Sequence, residues 1–562
     1  MSETPAFARD YTRPDLGAVR TQVNDMAQRL EAATSAEAAI EVVRAWNQVR
    51  SRVDTGFNIA EVRYHQDTSR DWAKGEKAFW DEAAPALREL DVIHARALID
   101  SRHREAIERA FGPQIFRLKA CTATTFAPEI ADALAEEAKL VTRYIELTSK
   151  KECDFHGEKI TMPALRGYFG VADRQTRLDA HRSRDRFLAA NAAELDQIFD
   201  RLVSLRDGMG RALEMDGFTP LGYQLMTRVD YDAGDVARFR DALREQLVPA
   251  CQEIVRRQAK ALGIDQVMLY DEPVFDPRGN PQPTGTPREI LETARGMYHD
   301  MDPRIGAFMD HMLEHDLLDV EPRDGKAPGG FCTIFADLGW PFVFAQFTGT
   351  TDDLQVVTHE CGHAYQVWSA RKLPLIEYHF PTYEACEVHS MGMELLTFPW
   401  MDRFFGDQAE RYRHGHLALE VIHLPYITLV DHFQHRVYEQ PELTPAQRNA
   451  AWLELEASYL PWRHYGDELP YLATGTIWQR QRHVYCDPFY YIDYALAGVC
   501  ALQIHMKAER DRDLALRDYM KMCEIGGSVS FTEMLEVGGL RSPFEPEVLA
   551  DVADHLRRVL LS

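Results

Sequence analysis

The chain has 562 residues, 45% hydrophobic and 27% charged, with a formal net charge of −25. That balance excludes a disordered chain, and the acidity argues against the clustered Lys/Arg surfaces that nucleic acid and anionic membranes require. The length permits a large core and about three to four domain-sized units.

Residues 1–5 are polar and acidic, without the basic-then-apolar pattern of a secretory signal, and no run of about 18 apolar residues occurs. The nine cysteines are scattered, odd in number and free of any Cys-x-x-Cys pair, which reads as reduced thiols. A cytoplasmic protein with no membrane and no nucleic-acid partner is expected.

In chain order, the first half reads as successive helices. Thr34-Ser35-Ala36-Glu37 is a capping-box pattern with Thr34 as the cap, and Val42, Trp46, Val49 and Val53 follow on one helical face. Similar periodic stretches cover 127–149 and 174–214. Four prolines and two glycines make 271–286 a loop, ending at the helix start Thr286-Pro287-Arg288-Glu289; Thr444-Pro445-Ala446-Gln447 repeats that signal. Phe331–Phe335 and Pro341–Phe347, aromatic runs bounded by Gly and Pro, read as two short strands. The fold class is therefore mainly α with one small β-sheet.

A helix start at 348–353 then leads into His359-Glu360-Cys361-Gly362-His363. Two histidines four apart present both imidazoles on one helical face, as ligands of one Zn²⁺ require, and Glu360 beside them reaches water without binding metal. With 21 histidines in the chain, this pattern arises by chance only ~0.06 times. A catalytic zinc needs a third protein ligand and an open position. The segment 383–394 offers Glu384, Glu387, His389 and Glu394, with the three carboxylates able to share one face. Spacing leaves the choice among these four open. The pairs His414/His416 and His432/His435 lack a third carboxylate at ligand spacing and read as satisfied or exposed helix histidines.

Together, Phe347-Thr348-Gly349-Thr350, the His359–Ala364 motif, Ala385-Cys386-Glu387-Val388-His389-Ser390 and Glu394 resemble the M3 family of zinc oligopeptidases, in its oligoendopeptidase F and Pz-peptidase branch. The resemblance implies a large helical metallopeptidase enclosing a channel, with a small sheet beside the His-Glu-x-x-His helix. It also implies one Zn²⁺ per chain, short peptides as substrates, and Glu387 as third ligand beside His359 and His363. Glu384 and Glu394 are then candidates to steady the ligands. Downstream, His483–Gly498 resembles the family's His- and Tyr-rich segment, which maps His483, Tyr490 and Tyr494 to the scissile carbonyl. Independently, a tyrosine hydroxyl is a good donor to an oxyanion. The competing expectation is an aromatic core stripe, with Tyr490 and Tyr494 four apart on a helix. Ile492 and Gln346-Phe347-Thr348 depart from the family's usual residues.

The resemblance covers about 195–562 well and the N-terminal helices loosely, dividing the chain into a helical region (1–194) and a catalytic region (195–562). The expected activity is zinc-dependent endopeptidase hydrolysis of oligopeptides with Glu360 as general base. The strand at 341–347 would offer its edge to an extended peptide. Rival readings are a non-catalytic zinc- and peptide-binding protein and a zinc hydrolase of a non-peptide amide. A monomer or homodimer fits either.

Overall fold

Long amphipathic helices dominate the computed structural model, which describes residues 11–327 and 329–561. The N-terminal helices Leu16–Ala32, Ala36–Gln66 and Asp71–Ile99 bury Val23, Val42, Trp46 and Leu98 in a core of their own. The helix cap differs by one residue from expectation. Ser35, not Thr34, is the cap, because its hydroxyl accepts from Ala38 N. Leu375 and Tyr378, just beyond the His-Glu-x-x-His helix, join this core. Tyr378 Oη donates to Phe111 O at 2.8 Å, and Glu377 pairs with Arg50 and Lys119 at 3.0 and 2.5 Å. The N-terminal helices are thus bolted to the segment that follows the His-Glu-x-x-His helix.

The expected helices over 127–149 and 174–214 form as Ala131–Thr148 and Arg174–Ala212, the latter running unbroken for 39 residues. Segment 271–286 contains no helix or strand, and both Thr-Pro capping boxes close as expected, at Thr286 and Thr444.

The sheet beside the motif has the order Leu318–Asp319, Trp340–Phe344, Phe331–Phe335. The first pair is parallel and the second antiparallel, with Phe335 opposite Trp340 at the hairpin. Trp340–Phe344 is therefore the central strand, which corrects the expectation that it offers a free edge. Its backbone groups are used on both sides, and the outer strands are Phe331–Phe335 and the short Leu318–Asp319. The motif helix Thr351–Ala370 packs on this sheet. Beyond it lies Tyr383–Leu396, whose residues from Glu384 to Leu396 are all buried between the motif helix and Ile492–Arg510. Among the described residues all nine cysteines are free, and no helix is long and apolar enough to cross a membrane.

Candidate functional site

The turn from strand to motif helix is set by Asp353, whose carboxylate accepts from Thr348 N and Gly349 N, each at 2.7 Å. One turn apart on this helix, the His359 and His363 rings lie 5.0 Å from each other at 84°. Gly362 faces the next helix. A Cβ there would stand 2.7 Å from both His389 O and Ser390 Cα, so only glycine permits this helix approach. The close crossing brings Glu387 Oε2 to 3.3 Å from His359 Nε2 and 3.5 Å from His363 Nε2. A tetrahedral zinc with bonds near 2.1 Å separates its ligand atoms by about 3.4 Å, so the three atoms fit such a cation. Ser390 Oγ donates to Glu387 Oε2, and Tyr490 Oη donates to Glu387 Oε1, both at 2.8 Å.

The electrostatics favour positive charge at this point. Burial opposes the imidazolium of His359, yet Glu387 and Glu394 outweigh it and hold its pKa well above the usual histidine value. Burial likewise opposes the Glu387 carboxylate, and His363 and His359 hold it well below the usual range.

The remaining carboxylates of the helix separate. Glu394 Oε1 lies 2.7 Å from His359 Nδ1, which directs Nε2 toward Glu387. Its Oε2 lies 3.1 Å from His416 Nε2, and Glu420 completes that group. His416 is thus no ordinary helix histidine. It is buried behind a candidate ligand, a role hidden in sequence because its partner sits on a different helix. His389 is fully buried against Tyr519, and burial pushes it down to about 3.

Glu384 faces Asp493, away from the histidine pair, with Thr382 Oγ1 donating to it at 2.8 Å. Burial, then mutual repulsion, pushes Glu384 up to about 8; Asp493 is also raised, but its 2.9 Å pair with Arg228 favours its ionised form. Glu384 therefore holds the proton of the pair. A raised carboxyl pKa adds stability that is complete below the unfolded value of about 4 and is lost as pH rises through the folded value. Glu384→Gln cannot lose that proton. Its melting temperature relative to wild type should rise between pH 5 and pH 9 in scanning calorimetry. A constant offset would contradict the assignment.

Glu360 is 8% exposed, and burial raises its pKa despite His359 and His363. A Cβ on Gly330 would stand 3.6 Å from Glu360 Oε1, so the carboxylate lies beside the start of the outer strand Phe331–Phe335.

Opposite stand the aromatic residues. Tyr490 is not on a helix with Tyr494, as the spacing had implied, but two residues before the start of Ile492–Arg510. The preceding Phe489 has φ 67°, a conformation that costs on the order of 1–3 kcal/mol in a non-glycine residue. Long-range bonds enforce it: Arg228 Nη2 donates to Phe489 O at 2.5 Å, and Phe489 N donates to Gln434 Oε1 at 3.0 Å. The rings of Tyr490 and Tyr494 lie 5.3 Å apart, and His483 lies 5.7 and 5.9 Å from them. Gln481 Nε2 donates to His483 Nδ1 at 2.9 Å, with Gln481 Oε1 accepting from Tyr426 Oη. This bond assigns the ring proton to Nε2, and burial pushes His483 down to about 4, so the ring is a neutral donor near pH 7. Ile492 is fully buried, and Tyr491 Oη bonds His423 Nε2 at 3.2 Å. Sequence reading missed Gln481, Arg228 and Tyr383, whose ring lies 5.1 Å from Tyr490. No short-range pattern marks any of them.

Residues 8–126 match the peptidase M3 N-terminal domain, and residues 298–553 match peptidase family M3. No curated protein matches the chain. A solved structure assigned as oligoendopeptidase F is 40% identical, with a TM-score of 0.95 over 100% of this chain and 99% of its own. Pz peptidase A, solved with an inhibitor, is 37% identical over 99% of both chains, again with a TM-score of 0.95. A Bacillus anthracis protein also assigned as oligoendopeptidase F is 36% identical, with a TM-score of 0.90 over 100% of this chain and 99% of its own. The likeness spans the N-terminal helices as fully as the rest, which widens the loose resemblance their sequence carries. With its core matched end to end by such structures, the chain belongs to peptidase family M3, as a metallopeptidase of the oligoendopeptidase F and Pz-peptidase branch.

Proposed function

We propose that the protein is a zinc-dependent oligoendopeptidase whose metal is held by His359, His363 and Glu387. The observation that carries this reading is the approach of Glu387 Oε2 to both imidazole Nε2 atoms at tetrahedral-edge distances, beside the buried Glu360. A Zn²⁺ held there supplies Lewis-acid polarisation of the scissile carbonyl and makes water more acidic.

The chain's own groups do the rest. Glu360 takes a proton from the attacking water as the new C–O bond forms, and delivers it to the amine nitrogen as the C–N bond breaks. Tyr490, Tyr494 and the Nε2–H of His483 stand where a carbonyl oxygen gathering negative charge needs donors. An extended peptide pairs with the outer strand Phe331–Phe335 at its Phe331 end, beyond Ile334 O, which accepts from Asn58 Nδ2; this brings the peptide backbone past Glu360. The same reading takes the helical shell to enclose a channel, which would admit short peptides and exclude folded proteins. The division into an N-terminal helical region (1–194) and a catalytic region (195–562) belongs to the same proposal.

The direct test is removal of metal by a chelator and restoration with Zn²⁺, while cleavage of a mixed short-peptide library is followed by mass spectrometry. Cleavage should stop and return, and the same segments inside a folded protein should stay intact. Cleavage that persists without metal would overturn the reading. Tyr490→Phe and Tyr494→Phe should lower kcat more than they raise KM, by about 10²-fold for the main donor. Unchanged kcat in both would return these rings to a packing role.

A further inference from the structure

The C-terminal half of helix Ile492–Arg510, beyond the turn that carries Tyr494, bears a second group of ligating side chains. His505 and Glu509 are four apart, so they share one face a single turn from each other. The last helix, Pro546–Leu561, packs against this face and adds His555. His505 Nε2 lies 3.7 Å from Glu509 Oε1, and His555 Nδ1 lies 3.7 Å from Glu509 Oε2. The two rings are 5.7 Å apart.

These distances are too long for hydrogen bonds and close to the edges of a tetrahedral metal site, about 3.4 Å. Both histidines are buried, His505 at 9% and His555 at 3% exposure, yet His505 Nε2, the atom nearest Glu509, has no hydrogen-bond partner. A buried polar atom left unpaired costs about 1–3 kcal/mol, which calls for a ligand. Burial holds both imidazoles below the usual histidine pKa, so each is neutral with a lone pair free. The facing charges are Glu509, which favours a cation, and Arg510 and Arg558 near His555, which oppose it. Arg558 Nε turns toward Asp554 O at 3.5 Å. The Phe398 ring, 5.7 Å from His505, closes the inner side, while the half-exposed Glu509 leaves the outer side open to water.

We propose that His505, Glu509 and His555 form a second, structural metal site that takes Zn²⁺ and staples the C-terminal helix to the helix bearing Tyr494. Two imidazoles and one carboxylate select a borderline transition cation over Mg²⁺ or Ca²⁺, and solvent supplies the fourth ligand. The site shares no residue with the His359–His363–Glu387 cluster, so it stands whether or not that cluster is catalytic.

Full-length protein is saturated with Zn²⁺, freed of excess by gel filtration and weighed by native mass spectrometry. Glu509→Lys, an exposed change that puts a cation at the site, should hold one zinc fewer than wild type. His505→Gln should do the same. The loss of one zinc should appear equally in a Glu387→Ala background, which separates this site from the other cluster. Peptide cleavage by Glu509→Lys should match wild type. Added Zn²⁺ should raise the melting temperature of Glu387→Ala but not of Glu387→Ala/Glu509→Lys. Equal zinc content with and without Glu509→Lys, or equal thermal shifts in the last pair, would overturn the proposal.

Discussion

Glu360→Gln should lower kcat/KM by ~10³-fold or more while leaving zinc content and fold intact, as expected for removal of a general base. Glutamine has the same shape but cannot accept a proton from water or pass one to the leaving amine. The site itself predicts that the variant folds. Glu360 is buried, and burial already disfavours its charge, so a neutral amide relieves desolvation instead of adding to it. At pH 7 the variant should melt no lower than wild type. The measurements are steady-state kinetics on one short peptide, zinc content, and a thermal scan. Full activity in a zinc-loaded Glu360→Gln would remove Glu360 from the mechanism.

Glu387→Ala should weaken zinc binding by more than the ~10²-fold that loss of an outer hydrogen-bond partner causes, because it removes a ligand itself. One carboxylate oxygen lies between both imidazoles, and nothing else within the cluster replaces it. The change also leaves the Tyr490 hydroxyl without its acceptor, while Ser390 keeps the Glu387 carbonyl, so Tyr490 should lose its fixed position. Competition with a chromophoric chelator measures the affinity, and kcat/KM should fall in parallel at limiting zinc. Undiminished zinc affinity would move the ligand elsewhere on the helix. The geometry disfavours each substitute: Glu384 is engaged with Asp493, Glu394 holds Nδ1 of His359, and His389 is buried against Tyr519.

The two proposed metal ligands and the base on one helix were legible because their relation is local. Residues four apart on an α-helix face the same way whatever surrounds them, so the sequence spacing is already the geometry. The third ligand was not legible from spacing, since four candidates within eleven residues differ only in where each points. Helix packing through Gly362 separates them, and the family resemblance had selected the carboxylate that packing places at the histidines. The aromatic wall shows the reverse case. Helical spacing paired Tyr490 with Tyr494, but Arg228 and Gln434, more than 50 residues away in the chain, hold Phe489 at positive φ and set Tyr490 in a turn.

Composition, helical periodicity, the Thr-Pro capping boxes, the two aromatic strands and the His-Glu-x-x-His spacing were determined by the sequence itself, because each depends on residues within about one or two helical turns. Which strand is central, which buried carboxylate carries a proton, which histidine lies behind Glu394 and which ring nitrogen of His483 is protonated were decided by tertiary structure alone. Each turns on a partner brought from a distant part of the chain: the Leu318–Asp319 strand, Asp493, His416 on its own helix, and Tyr426, which fixes the amide of Gln481 beside His483. Pairing and desolvation energies exist only once those partners meet, and no local pattern encodes them.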